Sequence, residues 1–349
     1  MKALRTLVVG LGQMGLSHAM AYHNRSEFEI VGLVNRSQIE LPEGMQCYDI
    51  LSDYESALEQ LKPDLVSINT YSDSHAQMAK MAFRAGAHVF IEKPLATTVA
   101  QAEEVVELAI KQNKKLIVGY ILNHHPSWQV FVEQAKSLGS PYVMRMNLNQ
   151  QSSGSAWEIH KKLMQSISPI VDCGVHYVDI MCQITSSKPV RVTGMGVRLS
   201  NEIAADMYNY GHLQVVFADG SVGWDEAGWG PMISETAFFV KDVMSPNGSV
   251  SIIADAADSS DVDAHTKTSN IRVHRAALDH SGEFVQSDQN LSMQDEPGHN
   301  QLCELEQLFV YRAIQENLDL SSHMQNAVDS LRICLAADES IRTNKTVYL

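Results

Sequence analysis

The stretch Leu4-Arg5-Thr6-Leu7-Val8-Val9-Gly10-Leu11-Gly12-Gln13-Met14-Gly15 decides the fold of this chain. Leu4 to Val9 is a short β-rich run, and after Gly15 the residues Leu16, Ala19 and Met20 begin a helical period. G-x-G-x-x-G set between a strand and a helix is the turn that holds a dinucleotide. The first glycine permits the turn, the second lets the backbone approach a pyrophosphate, and the third lets helix and strand pack closely. The phosphates then face the positive end of the helix. Gly10, Gly12, Gln13, Met14 and Gly15 are therefore the expected cofactor-binding residues, although the glycines alone would also suit a structural turn.

Repeated β-α units follow. The second strand, Phe28 to Val34, runs into Asn35-Arg36-Ser37, where an NAD site usually carries an acid on the ribose. With no acid there, Arg36 and Ser37 can grip a 2′-phosphate, which favours NADP over NAD; an arginine lying over the adenine face would accept either. A third strand is expected at Met45 to Tyr48, a helix at Asp53 to Gln60 and a strand at Leu65 to Asn69. A helix from Ala76 to Ala85 leads to the strand Ala87 to Ile91, and a last helix and strand span Val99 to Gln112 and Leu116 to Gly119. This order implies a mostly parallel, doubly wound α/β sheet. Ligands gather at the carboxyl ends of such strands, which points to Asn69, Thr70 and His75, and to Glu92-Lys93-Pro94. His75 equally suits a satisfied first-turn histidine. Lys93 at a strand end can hold a substrate oxygen and stabilise negative charge developing on it.

A second constellation lies at Ser168-Pro169-Ile170-Val171-Asp172-Cys173-Gly174-Val175-His176. Ser168 as N-cap and Pro169 as first helical residue start a helix. At i, i+4 spacing Asp172 and His176 stack on one face, with Asp179 able to join them. A carboxylate beside an imidazole fixes its tautomer and suits a histidine that exchanges a proton near neutral pH. Ordinary polar residues on an exposed helix would look the same.

The 349 residues allow two domains, and 45% hydrophobic with 19% charged residues describe an ordinary globular protein. A net charge of -15 argues against nucleic acid and anionic membranes as partners. The five cysteines are scattered and form no C-x-x-C pair. With no signal core and no long apolar run, a cytoplasmic location is expected. His124, His125, His160 and His176 lack metal-ligand spacing, so no metal is expected.

Gly10-x-Gly12-x-x-Gly15, Glu92-Lys93-Pro94 and Asp172-x-x-x-His176, in that order, resemble the Gfo/Idh/MocA oxidoreductases over essentially the full length. The resemblance implies an NAD(P)-binding Rossmann domain over 1–120. It implies a C-terminal α+β domain over 121–349, built on a large open, mostly antiparallel sheet. A sugar, cyclitol or related polyol would be the substrate, with Lys93 on the reacting oxygen, His176 as proton donor or acceptor, and Asp172 on the substrate. Tyr120 and Asn123 fall in the run where many members place a Tyr-x-x-Arg-like pair; Asn123 replaces the arginine, which puts an acidic or phosphorylated substrate in doubt. Trp157, in the amide- and hydroxyl-rich run Gln150 to Trp157, is a further candidate for the polyol.

In the second domain a helix is expected at Trp128 to Leu138 and strands at Val143 to Asn149, Val190 to Leu199, His212 to Phe217, Ser221 to Glu226, Ala237 to Val240, Ser249 to Ile253 and Ile271 to His274. Gly228-Trp229-Gly230-Pro231 reads as a stiff turn and Ala254 to Asn270 as a surface loop, with helices near Asn300 to Gln315 and Gln325 to Arg342. The resemblance implies a homodimer or homotetramer, which an open sheet face in need of cover makes physically reasonable. Two other functions fit the same residues: cofactor recycling during elimination or glycoside cleavage, and a non-catalytic dinucleotide- and sugar-binding regulator.

Overall fold

The opening run is strand β1 (Leu4–Val9), and the glycine turn leads into helix α1 (Gln13–His23). A computed structural model describes residues 2–234, 240–253, 268–294 and 296–349. The β-α repeat continues through β2 (Phe28–Val34), β3 (Ile50–Leu51), α2 (Tyr54–Leu61), β4 (Leu65–Ile68) and α3 (Ser72–Arg84). It ends with β5 (His88–Glu92), α4 (Val99–Lys111) and β6 (Leu116–Gly119). Polar side chains start the helices where the sequence supplies them: Asp53 accepts from Ser56 N at 2.7 Å and Thr98 from Gln101 N at 3.2 Å.

Next come α5 (Pro126–Leu138), β7 (Val143–Gln151), α6 (Gly154–Leu163), a π-helical turn (Ile170–Gly174) and α7 (Val175–Thr185). Strands β8 (Pro189–Val197), β9 (Tyr210–Phe217), β10 (Val222–Gly230), β11 (Lys241–Ser245), β12 (Gly248–Ile253), β13 (Asn270–Arg275) and β14 (Gln289–Ser292) follow. Helices α8 (His299–Gln315) and α9 (Ser321–Thr343) and strand β15 (Val347–Tyr348) close the chain.

The chain forms two compact units, 1–124 with 297–328 and 125–296 with 329–349. The first holds a six-stranded parallel sheet ordered β3-β2-β1-β4-β5-β6, the doubly wound order expected of a dinucleotide domain. Strands β4 and β6 are buried along their whole length because helices cover both faces. The third strand lies later than Met45 to Tyr48; that segment instead makes turns, with Met45 N–H bonded to Pro42 O and Tyr48 N–H to Met45 O. The boundary expected at 120 falls at 124, and α8 belongs with the first unit. Val310, Tyr311, Ala313 and Leu320 join Leu4, Val8, Phe28 and Ile117 in one core, so burial of an apolar stripe draws this late segment to the N-terminal sheet. His323 accepts the Val118 N–H at 2.9 Å, and burial lowers its pKa to about 4, which keeps the ring a neutral acceptor.

The second unit carries a nine-stranded sheet ordered β14-β13-β12-β11-β7-β10-β9-β8-β15. β7 and β10 pair parallel, and every other neighbouring pair is antiparallel. Gly228 to Gly230, read above as a turn, continue β10, whose pairing with β7 extends to Gly230 and Gln151. Part of the run Gln150 to Trp157 is helix α6. The strand expected at Ala237 to Val240 lies outside the described residues up to 239, as does the 254–267 part of the expected loop. One face of the sheet packs under α5 and α7, where Trp128 and Tyr177 rings meet at 5.5 Å. Among the described residues, no helix is long and apolar enough to cross a membrane.

Candidate active site

The glycine turn at the end of β1 shows three different uses of the same residue. Gly10 has φ +83°, which L side chains rarely adopt, and a Cβ there would meet Asn69 O at 2.7 Å. At Gly15 a Cβ would lie 1.9 Å from the Gly10 oxygen, so helix and turn touch backbone to backbone. A Cβ at Gly12, by contrast, meets no protein atom within 4 Å. Gly12 is also the N-cap of α1 and makes no side-chain cap, and both it and Gln13 are exposed while Met14 is half-buried. The first N–H groups of α1 are thus not capped by a side chain, and the backbone at Gly12 is open to close approach. That combination fits a pyrophosphate.

At the end of β2, the Asn35 side chain accepts from Leu11 N at 3.1 Å and donates to Ser37 O at 2.8 Å, tying the glycine turn to the next loop. Arg36 and Ser37 are exposed beside it. Past β4, Asn69 N–H bonds to Val9 O at 2.8 Å, and Thr70 Oγ1 and Ser74 Oγ meet at 2.7 Å. His75 is buried, with Nδ1 2.8 Å from Pro94 O and Nε2 2.9 Å from Thr70 O. It shapes this edge from within, joining the loops after β4 and β5, rather than presenting a nitrogen to a ligand. Burial lowers its pKa, against the two carbonyl contacts that raise it.

Glu92 ends β5 with its carboxylate turned inward, Oε1 2.7 Å from His18 Nε2 and Oε2 accepting from Lys93 N at 3.2 Å. Burial pushes this carboxyl up, but the bond and charge of His18, with Lys93 and His75, more than offset it and hold the group below the usual range. Lys93 is half-buried at the strand's carboxyl end. Glycine turn, Asn69, Thr70 and Lys93 therefore gather at one edge of the sheet, since β1, β4 and β5 are neighbours. Tyr120 is fully buried, with Asn123 half-buried in the 3-10 turn Ile121–His124.

Asp172 and His176 belong to the second unit, and both are half-buried. The helix starts as the sequence indicates, with Ser168 Oγ accepting from Val171 N at 3.2 Å and donating to Asp338 Oδ1 at 2.8 Å. Its first turn, Ile170–Gly174, has π pitch, and α7 continues from Val175, so a widened turn carries Asp172 just ahead of His176. Asp179 is buried, its Oδ2 accepting from Gln183 at 2.7 Å. Trp157 is buried in α6, with Nε1 donating to Glu202 at 3.3 Å.

Beneath the π turn lies a pair that sequence reasoning missed. A Cβ at Gly174 would come within 2.8 Å of Asp225 Oδ2, and Asp225 and Lys241 are both almost wholly buried. Lys241 donates to Asn147 O, and its ammonium lies 4.1 Å over the Tyr177 ring. Burial lowers Lys241 to about 7 and, opposed by Lys241, pushes Asp225 well above the carboxylate range. The signal was in β10: Asp225 alternates with Gly223 and Ala227 on the face that goes inside. Among the described residues no group of His, Cys, Asp and Glu is placed to hold a metal.

The glycines separate fold from binding. Gly12→Ala is expected to leave the thermal midpoint within about 2 °C yet weaken NADH and NADPH binding roughly tenfold, whereas Gly15→Ala destabilises by several degrees or more. Titration by fluorescence alongside thermal melts checks this; unchanged affinity in Gly12→Ala removes the turn from the cofactor site.

Comparison with known proteins agrees with this arrangement. Residues 4–120 match the model described as "Oxidoreductase family, NAD-binding Rossmann fold", and residues 132–232 match the Gfo/Idh/MocA C-terminal domain. The chain is 31% identical over 183 residues to the D-glucoside 3-dehydrogenase of Escherichia coli, covering 50% of this chain and 52% of that protein. It is 28% identical over 195 residues to the UDP-N-acetylglucosamine 3-dehydrogenase of Acidithiobacillus ferrooxidans, covering 56% and 58%. The chain thus spans about half the length of the curated relatives it matches. Scyllo-inositol dehydrogenase from Lactobacillus casei, solved with NAD(H) and scyllo-inositol, shares the fold at TM-score 0.76 with 18% identity over 99% of both chains. With both domain models matched in order, this chain belongs to the Gfo/Idh/MocA oxidoreductase family.

Proposed function

We propose that this chain is an NAD(P)-dependent dehydrogenase acting on a CH–OH group of a sugar, cyclitol or related polyol. The observation that carries the reading is Lys93, half-buried on the same sheet edge as a glycine turn whose second glycine is open to a pyrophosphate. Relatives named as dehydrogenases of a glucoside and a sugar nucleotide support the polyol class. Bound at the turn, a nicotinamide dinucleotide supplies the hydride acceptor or donor. Lys93 holds the reacting oxygen and stabilises the negative charge that grows as its proton leaves. Of the second unit, His176 is the proposed proton acceptor or donor and Asp172 the proposed substrate-binding acid.

The test is a screen of glucosides, sugar nucleotides and inositols with both cofactors, followed by absorbance of the reduced nicotinamide. Turnover is expected for at least one, with Lys93→Met and His176→Ala each lowering kcat by about 10²–10⁴. Tight binding of a polyol with no turnover would instead establish a sensor, and turnover without accumulated reduced cofactor a recycling mechanism.

We infer further that NADP is preferred. Asn35 spends its amide on the glycine turn and offers no negative charge to repel a 2′-phosphate, while Arg36 and Ser37 stand exposed beside it. Arg36→Ala is expected to weaken NADPH about tenfold and NADH less than about twofold, measured by titration; an unchanged NADPH affinity ends this inference.

A homo-oligomer built on the face of the large sheet opposite α5 and α7 completes the proposal. Val143, Met195, Val197, Val222 and Tyr348 are exposed there and offer apolar area to a second copy. Val143→Asp with Met195→Asp should turn a dimer or tetramer into a monomer by sedimentation. A wild-type chain that sediments as a monomer at micromolar concentration refutes it.

A further inference from the structure

Four buried polar side chains in the first unit form a single line of hydrogen bonds that ends at the backbone of Lys93. Tyr22 OH lies 2.6 Å from Gln307 Oε1, Gln307 Nε2 lies 3.0 Å from His18 Nδ1, and His18 Nε2 lies 2.7 Å from Glu92 Oε1. The other Glu92 oxygen accepts the Lys93 N–H at 3.2 Å. Tyr22, His18 and Gln307 are all but fully buried and Glu92 is 7% exposed, so water does not substitute for a missing partner.

The line has one polarity in which every atom is matched without an added charge. An ionised carboxylate only accepts, so His18 must donate from Nε2. A neutral imidazole that donates from Nε2 has a lone pair on Nδ1, and the group facing Nδ1 must then donate. Gln307 does so through its NH2 group, leaving Oε1 for the Tyr22 hydroxyl. With the amide turned over, Oε1 would demand a proton on Nδ1. Nε2 would then face the carboxylate bare unless the ring became an imidazolium.

Resting on the reading of Lys93 as the group that holds the substrate oxygen, we propose that Gln307 is a positioning residue. By donating to His18 Nδ1 it fixes the Nε2–H tautomer and so holds the Glu92 carboxylate against the Lys93 amide. The signal is invisible in sequence order, because Gln307 comes from α8, which burial of its apolar stripe brings to this unit.

Nitrogen-15 NMR of the wild type, Gln307→Glu and Gln307→Met, without substrate, tests this, with His18→Gln assigning the imidazole signals. The wild type is expected to carry the His18 proton on Nε2 only. An ionised Glu at 307 accepts but does not donate and should move a proton onto Nδ1; Met should release the tautomer, and both should shift the Lys93 amide resonance. Gln307→Met should also lower kcat about tenfold while the cofactor KM changes less than about twofold. An imidazole already protonated on Nδ1 in the wild type overturns the proposal, as do unmoved His18 and Lys93 signals in the variant that folds. A tautomer change with kcat within twofold of wild type overturns the positioning role. Absence of any sugar turnover in the wild type overturns the dehydrogenase reading alone, since the spectra are read without it.

Discussion

The first unit depends on the contact between Gly15 and the Gly10 carbonyl, where no side chain can stand. It presses α1 onto the end of β1 so closely that the helix direction is set by backbone atoms rather than by adjustable side chains. Two consequences follow along one helix. At its start, no side chain caps the N–H groups beyond Gly12, which leaves them for an anion. One turn later, His18 and Tyr22, four residues apart, share the inward face and are driven into the core. That spacing is why one Gln307 amide can bridge them. Cofactor turn and Lys93 support thus share a scaffold.

The second unit solves its local problem differently. Asp225 and Lys241 are buried below the π turn, and neither Asp225 oxygen has a hydrogen-bond partner among the described residues. Taking an ion out of water costs several kcal/mol, so burial drives both groups toward neutral forms. The missing side chain at Gly174 lets the helix lie directly on the Asp225 carboxyl. Widened pitch and close approach occur together, and they determine where Asp172 and His176 leave the helix.

What the sequence made legible was whatever depends on near neighbours in the chain. The strand, glycine turn and helix of residues 4–23, the Ser168 cap and the Pro169 start all follow local rules and occur as the residues indicate. Gly228 to Gly230 misled because two glycines and a following proline look like a turn, while pairing with β7 holds them extended. The third strand was misplaced because the buried side chain of Met45 imitates a strand residue inside a series of turns. Of the proposed site, Lys93 and the glycines could be named from motif and position. His18, Gln307, Asp225 and Lys241 could not, because each acquires meaning only from a partner that tertiary packing supplies.

The two buried acids show why matched donors matter more than burial as such. Glu92 is nearly as buried as Asp225, yet it stays below the usual carboxylate range because His18 and the Lys93 amide donate to it. Asp225, lacking such donors, is pushed the other way. On the proposed reading this difference divides the chemistry. Holding an oxygen through a charge change calls for a cation at a fixed place, the role proposed for Lys93. Moving a proton calls for a group that changes charge near neutral pH, which suits the imidazole of His176. An acid in the position of Glu92 that had lost its donors would become neutral and withdraw that support. On the proposed reading, the hydrogen-bond line from Tyr22 through Gln307 and His18 therefore serves Lys93 by keeping an ionised carboxylate against its backbone amide.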